Sequence, residues 1–477
     1  MSKFDLTIIG GGVAGLVTAS GASQLGAKVA LVEKEKLGGD CLHYGCVPTK
    51  SLLHTARIIS LLRRSSDFGL NPVKIDFEFK KIMDHMRSIQ EKIGKHDDPE
   101  RFKKMGVKLF FGNGSFIDTS TFEVKGIKIK SRKFLIATGS KPIMLPINGL
   151  DKVDYLNNVK ILDLDKLPAS LIVIGAGPIG LEFAQVFNRF GTKVTVIEKF
   201  GQIMPREDKE LADTLENILK KEGIEVNTCV DIKKVEQSGD KIIVDADFAG
   251  NKKKFEAKKL LVAIGRAPNI EDLNLDKIGV KTSRSGIVVD DTMKTTVPNI
   301  WACGDVTGMF PFTHMAEYGA GLVVSNALFP LIKRKIDKRI VPWSTFTDPE
   351  LARVGLLEDE ARKQHNKIKV YKYPFKDHDR AVIDRETEGL IKLVCDMKGK
   401  ILGASILGVG AGDLINEYIL AMKNNLSVQK ISGTVHIYPT MGQIVKRGAD
   451  QYYREKLFSG WFPQLSKLLI KMGRLFK

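Results

Sequence analysis

The sequence predicts an α/β chain, on two repeated observations and one change of pattern. Near the N-terminus a short aliphatic strand runs into a glycine-rich turn and then a helix, and the same succession returns in the middle of the chain. The last third changes to alternating strands followed by a helix. At 477 residues there is room for roughly three domains of about 150 residues each. With 43% hydrophobic residues and no low-complexity tract the chain is globular. Two Rossmann-like dinucleotide-binding domains and a C-terminal α+β domain follow from this pattern.

In the first unit Leu6-Thr7-Ile8-Ile9 leads into Gly10-Gly11-Gly12-Val13-Ala14-Gly15, with a helix to about Leu25. A second strand, Lys28 to Val32, ends at Glu33. Gly10 makes the tight turn, Gly12 lets a pyrophosphate approach the backbone, and Gly15 allows helix and strand to pack closely. Glu33 is placed to accept hydrogen bonds from a ribose. In the second unit Leu171-Ile172-Val173-Ile174 enters Gly175-Ala176-Gly177-Pro178-Ile179-Gly180, and Lys193 to Ile197 ends at Glu198. Glu198 favours the free 2′-hydroxyl of NADH over the 2′-phosphate of NADPH, although Lys199 and Arg206 lie near enough to admit NADPH. Two dinucleotide sites in one chain imply electron transfer between them.

The segment Gly38-Gly39-Asp40-Cys41-Leu42-His43-Tyr44-Gly45-Cys46-Val47-Pro48-Thr49-Lys50 carries two cysteines before an apolar helix. Gly45 allows the chain to turn back so that the cysteines can close a disulfide. Cys46 falls at a helix N-terminus, which favours a thiolate. This segment resembles the redox-disulfide signature of the flavoprotein disulfide reductases, among them lipoamide dehydrogenase, glutathione reductase and mercuric reductase. The resemblance implies FAD in the first site and NAD(P)H in the second. It adds Gly39, Ala137-Thr138-Gly139-Ser140 and Ile300-Trp301-Ala302-Cys303-Gly304-Asp305 to the FAD site, with Asp305 on the ribityl chain. It pairs Lys50 with Glu182 beside the flavin, and it makes Cys46 the flavin-side thiol and Cys41 the interchange thiol. Ala263-Ile264-Gly265-Arg266-Ala267-Pro268-Asn269 resembles the strand and turn that close the nicotinamide domain, a boundary with no chemistry of its own, Gly265 lying at the cofactor. Phe346 to Gly355 resembles the opening of a dimerisation domain, which implies a homodimer.

These readings divide the chain into an FAD-binding domain at 1–150, an NAD(P)-binding domain at 151–270 and a returning FAD/central part at 271–344. A dimerisation domain at 345–453 and a basic tail at 454–477 complete it.

One departure bears on the reaction. Lipoamide dehydrogenase and glutathione reductase place a histidine directly before a proline, with a glutamate soon after, and this pair reaches in from the partner subunit as acid and base for the dithiol. Here the run is His436-Ile437-Tyr438-Pro439-Thr440-Met441-Gly442-Gln443, so Tyr438 and Gln443 stand in those places. A phenol titrates near 10 and is no base at neutral pH. Tyrosine here resembles mercuric reductase, whose further cysteine pair is not matched, since no cysteine follows Cys395. His43 and His436 are the alternative bases, His43 being counted among the catalytic candidates. The expected function is transfer of electrons from NAD(P)H through FAD to Cys41–Cys46, then to a disulfide, a thiol-reactive compound or a metal. The alternatives are a membrane-surface NADH:quinone oxidoreductase, lipoamide dehydrogenase itself, or a slow cofactor-binding redox sensor.

Five cysteines in so long a chain suggest a reducing, cytoplasmic compartment, and Cys229, Cys303 and Cys395 are expected to be small buried residues. No metal-ligating cluster is expected. The formal charge of +18 accompanies no nucleic-acid motif, so a nucleic-acid partner is not expected. Beyond Tyr453, residues 456–477 combine Leu465, Leu468, Leu469, Met472, Leu475 and Phe476 at helical spacing with Lys467, Lys471, Arg474 and Lys477. Trp461, Phe462 and Pro463 lead in. This is the composition of an interfacial helix drawn to anionic lipid, which would place the protein on the inner face of the cell membrane. The competing expectation is a helix packed on the dimer.

Overall fold

The computed structural model describes residues 3–144, 146–329, 331–460 and 462–474. The chain forms two compact units: residues 1–63, 73–199 and 230–337 make the first, and residues 64–72, 200–229 and 338–477 the second.

The first unit opens with strand β1 (Phe4–Ile9), helix α1 (Val13–Gln24) and strand β2 (Val29–Glu33). Short helix α2 (Gly39–His43) and helix α3 (Cys46–Arg63) carry the cysteine segment, and α4 (Phe79–Gly94) follows. Strand β3 (Lys108–Phe111) lies beside β2, and the long strand β4 (Ile127–Ile136) beside β1, all parallel. Alternation of side chains then buries both faces of the sheet. Leu6, Ile8, Leu31 and Leu135 enter one core with α1, while Ile9, Ala30, Val32, Phe134 and Ile136 enter the opposite one. The strand Ile300–Ala302 returns to pair with β4, which brings Asp305 back to the sheet after a long excursion in sequence.

That excursion holds a second parallel sheet. Ser170–Ile174 lies between Lys193–Ile197 and Lys259–Val262, with helix Pro178–Phe190 after the second glycine turn. Three antiparallel strands, Val230–Ser238, Lys241–Phe248 and Asn251–Ala257, pack a further core around Val235, Val244 and Phe255.

In the second unit five antiparallel strands run in the order Pro342–Thr345, Glu350–Gly355, Ile401–Gly408, Leu390–Asp396, Ile368–Pro374. Helices Ala411–Lys423 and Gln443–Phe458 contribute Ile415, Tyr418, Ile444, Val445 and Ala449 to the core with that sheet. Residues 200–229 join this unit through buried polar contacts. Lys392 Nζ lies 2.7 Å from Asp208 and 2.9 Å from Glu358, and Trp343 Nε1 donates to Glu207 at 2.6 Å. Such pairing is what allows these charges to be buried.

Cys303 and Cys395 are buried as expected, but Cys229 is exposed. It sits at φ 57° in the connection after Glu225–Asn227, a left-handed turn position with no core to face.

Candidate functional site

The two glycine turns repeat the same solution. Glu33 Oε2 accepts the Gly11 N–H at 2.6 Å, and Glu198 Oε2 accepts the Ala176 N–H at 2.7 Å. Each strand-end glutamate is thereby locked against its own glycine turn. A Cβ on Gly15 would lie 1.9 Å from the Gly10 carbonyl oxygen, and one on Gly180 would lie 2.0 Å from that of Gly175. Only glycine permits helix and strand to approach so closely. A Cβ on Gly39 would come within 2.6 Å of Gly12 Cα, so two glycine backbones face each other across the first turn. At Gly177 a Cβ would meet nothing within 4 Å, leaving that backbone open to a ligand.

The remaining segments of the first site are tied together by side chains. Ser140 Oγ donates to Asp305 Oδ2 at 2.6 Å. Arg266 donates to Ser140 Oγ at 2.8 Å and to Asp40 Oδ1 at 2.9 Å, with Asp305 at 4.0 Å. Arg266 was expected only to mark a boundary, yet it knits three distant segments into one wall. Its strand, Arg266–Pro268, pairs with Ser140–Pro142, and this fixes its reach. Burial pushes the Asp305 carboxyl above its ordinary range, partly offset by Ser140 and Arg266. Thr138 Oγ1 donates to the Asn269 carbonyl at 2.6 Å, and the Asn269 amide nitrogen donates to the Gly139 carbonyl at 2.9 Å. Gly265 takes φ +130° at the end of the preceding strand.

The cysteine segment lies on the same unit. Cys46 begins α3, and Cys41 lies in α2, both as free thiols. Gly45 works through space and not through a left-handed backbone, since a Cβ there would lie 3.0 Å from Asp40 Oδ2 and 3.3 Å from Cys41 Cα. Cys46 is pulled down to about 6. The Cys41 thiol hydrogen-bonded to it is the largest cause, helped by the Thr313 hydroxyl 3.4 Å away and by Lys50, against opposing burial. Cys41 is pushed far up by the same hydrogen bond and by burial. The pair is thus biased toward a thiolate at Cys46 and a protonated thiol at Cys41.

Lys50 Nζ lies 2.8 Å from Glu182 Oε2, with the glutamate side chain only 6% exposed. Helix α3 supplies the lysine and the helix after the second glycine turn supplies the glutamate. Thr313 was not found by sequence reasoning. A threonine opening the helix Thr313–Leu328 carries no spacing signal toward the cysteines.

His43 is tethered, its Nε2 2.8 Å from the Leu37 carbonyl oxygen, and burial lowers its pKa. It lines a cavity of about 840 Å³ with Lys36, Tyr44, Gln90 and Asp97. In the second unit the Tyr438 hydroxyl donates to Asp379 Oδ2 at 3.1 Å, and that carboxylate raises the phenol further above 10. His436 Nε2 stands 3.0 Å from both carboxylate oxygens of Glu417, and its Nδ1 lies 3.0 Å from the Thr434 carbonyl. Both ring nitrogens of His436 are therefore engaged. No group of three or more metal-ligating side chains occurs among the described residues.

Two dinucleotide folds around a poised thiol pair define a pyridine-nucleotide oxidoreductase acting through sulfur. The chain belongs to the pyridine nucleotide-disulphide oxidoreductase family, whose model matches residues 4–320, while the dimerisation domain of that family matches residues 341–449. Members use FAD and NAD(P)H, so this is an FAD- and NAD(P)H-dependent flavoenzyme. It is 36% identical to the mercuric reductase of Lysinibacillus sphaericus over 449 residues, covering 94% of this chain and 82% of that one. It is 33% identical to a dihydrolipoyl dehydrogenase of Bacillus subtilis over 464 residues, covering 94% and 98%. The HOCl-induced flavoprotein disulfide reductase RclA from Escherichia coli, solved as a Cu(II) complex, superposes with a TM-score of 0.85 at 29% identity, covering 94% of this chain and all of that one.

The residues present fit FAD. The facing Gly12 and Gly39 backbones leave a surface that a side chain would fill, and Asp305 is a half-buried acceptor held by Ser140 and Arg266.

Proposed function

We propose that this enzyme is a homodimeric dithiol/disulfide oxidoreductase that oxidises NADH and passes two electrons to the Cys41–Cys46 disulfide, and from the dithiol to an acceptor reactive toward thiols. The observation that carries the reading is the placement of Cys41 in α2 and Cys46 at the start of α3, with the Thr313 hydroxyl 3.4 Å from Cys46 Sγ and the Lys50–Glu182 pair, 2.8 Å apart, one turn further along α3.

Gly10, Gly12, Gly15, Glu33, Gly39, Thr138, Gly139 and Asp305 would hold FAD. Gly175, Gly177, Gly180, Glu198 and Gly265 would hold the nicotinamide dinucleotide. Bound FAD supplies the two-electron relay between nicotinamide and sulfur. Lys50 keeps a positive charge near the thiolate, and Glu182 fixes its ammonium. Cys46 remains the stabilised thiolate, while Cys41 carries the proton and attacks the acceptor once deprotonated. Transfer of two electrons to an acceptor disulfide breaks that S–S bond, forms the Cys41–Cys46 bond and leaves the acceptor as one thiol, which takes the Cys41 proton, and one thiolate, which is protonated from solvent.

In the homodimer the Tyr438 contributed by the other subunit, its hydroxyl held by Asp379 of its own chain, would shape the acceptor pocket in place of a histidine base. That arrangement disfavours lipoamide turnover and suits an acceptor needing no proton removed by imidazole, such as a thiophilic metal ion. The Cu(II) bound to RclA and the mercury reduced by the similar reductases support a metal among the acceptors.

An anaerobic NADH titration that counts electrons per FAD tests the proposal. Uptake of more than two, with a long-wavelength thiolate-to-flavin band, is the expected result. Uptake of only two would remove the cysteines from the circuit, and turnover with a quinone that survives Cys41→Ser and Cys46→Ser would replace the proposal.

A further inference from the structure

The helix Phe462–Gly473 buries no residue, and the family's dimerisation domain ends at residue 449, before it. Phe458 is 77% exposed at the end of the preceding helix, and Leu468, Leu469 and Met472 are 54%, 55% and 44% exposed. At 100° per residue Leu465, Leu468, Leu469 and Met472 share one face, while Lys467, Lys471 and Arg474 share the opposite one. Between Lys456 and Lys477 the chain has no aspartate or glutamate. Glu455, the last acid before this stretch, is paired with Lys369. Trp461, Leu475, Phe476 and Lys477 lie outside the described residues, so their part in the pattern rests on sequence.

A helix of this length is marginal in water without a surface to bury its apolar face. A protein surface would need acidic partners for an unbroken row of cations. An anionic bilayer offers both an apolar layer beneath and negative charge at the headgroups. We infer that residues 456–477 are a membrane-surface anchor, the apolar face entering the headgroup boundary of an anionic bilayer and the lysine row meeting its phosphates. The inference is independent of which acceptor the dithiol reduces.

The test uses the full-length, FAD-loaded protein and sedimentation with vesicles of phosphatidylglycerol and phosphatidylcholine, compared with phosphatidylcholine alone. Binding to the anionic vesicles only, weakened by salt, is expected. Each lysine near the surface contributes about fivefold, so Lys467→Gln with Lys471→Gln should weaken partitioning about 25-fold. Leu468→Glu with Leu469→Glu should abolish it while NADH reduction of FAD is unchanged. Equal binding to both vesicle types, no binding, or binding indifferent to these variants would overturn the inference. So would a dimer that falls apart on deletion of residues 459–477 with no vesicle binding by the intact chain, since the helix would then belong to a second copy.

Discussion

The Cys41 thiol is the largest cause of the depressed Cys46 pKa, and this makes a sharp comparison possible between Cys41→Ala and Cys41→Ser. Alanine removes the donor, whereas serine keeps a hydroxyl in its place. A hydrogen bond to a charged group contributes about 1.5–3 kcal/mol. A thiol is a weak donor and Cys46 is partly solvated, so we take a value just under that range, about 1.4 kcal/mol, which is one pKa unit. From a starting value of about 6, the alanine variant should titrate near 7. At pH 7 the thiolate fraction would fall from about nine-tenths to about one-half, and at pH 6 from about one-half to about one-tenth. The assay is the pH dependence of iodoacetamide alkylation on the FAD-loaded protein in a Cys229→Ser background, which removes the exposed competing thiol. Cys303 and Cys395 are pushed up to about 12 by burial and will not compete. If the alanine and serine variants titrate together, the Cys41 donor is not what holds the thiolate, and the division of roles between the two cysteines is wrong.

Four other outcomes follow, three from the proposed cofactor sites and one from the packing of the second unit. If Lys50 stands beside the flavin as proposed, Lys50→Met should slow FAD reduction by NADH about a hundredfold and lower the flavin potential, because a cation that favours the electron-rich state is gone; stopped-flow and redox titration read both. Asp305→Leu should lose flavin on gel filtration while Asp305→Asn retains more, as judged from the flavin-to-protein absorbance ratio of folded protein. If Glu198 selects NADH as proposed, Glu198→Ala should lower the ratio of kcat/KM for NADH to that for NADPH. Lys392→Met should destabilise the second unit by about 3–5 kcal/mol in denaturant unfolding, because Asp208 and Glu358 lose the buried ammonium between them.

Local physics made much of this chain readable in one dimension. A strand ending in Gly10 or Gly175 and a helix opening after Gly12 or Gly177 follow from residues within a few positions of one another. The glutamates at the strand ends are set by the length of a βαβ unit, and the cysteine segment by its place at the start of α3. The same locality marks Tyr438 as a departure, since its neighbour Pro439 keeps the register. What the tertiary structure decided lies in contacts that no spacing encodes. Thr313 reaches Cys46 across 267 positions, and Arg266 reaches Asp40 across 226. Cys229 resembles any other cysteine in sequence, yet its left-handed turn leaves it in solvent. Residues 200–229 follow the second dinucleotide turn in the chain but fold with the C-terminal sheet, because burying Lys392 requires Asp208. Backbone conformation is chosen by neighbours in sequence, whereas burial and the pairing of charges are settled by whichever distant segment the fold brings alongside.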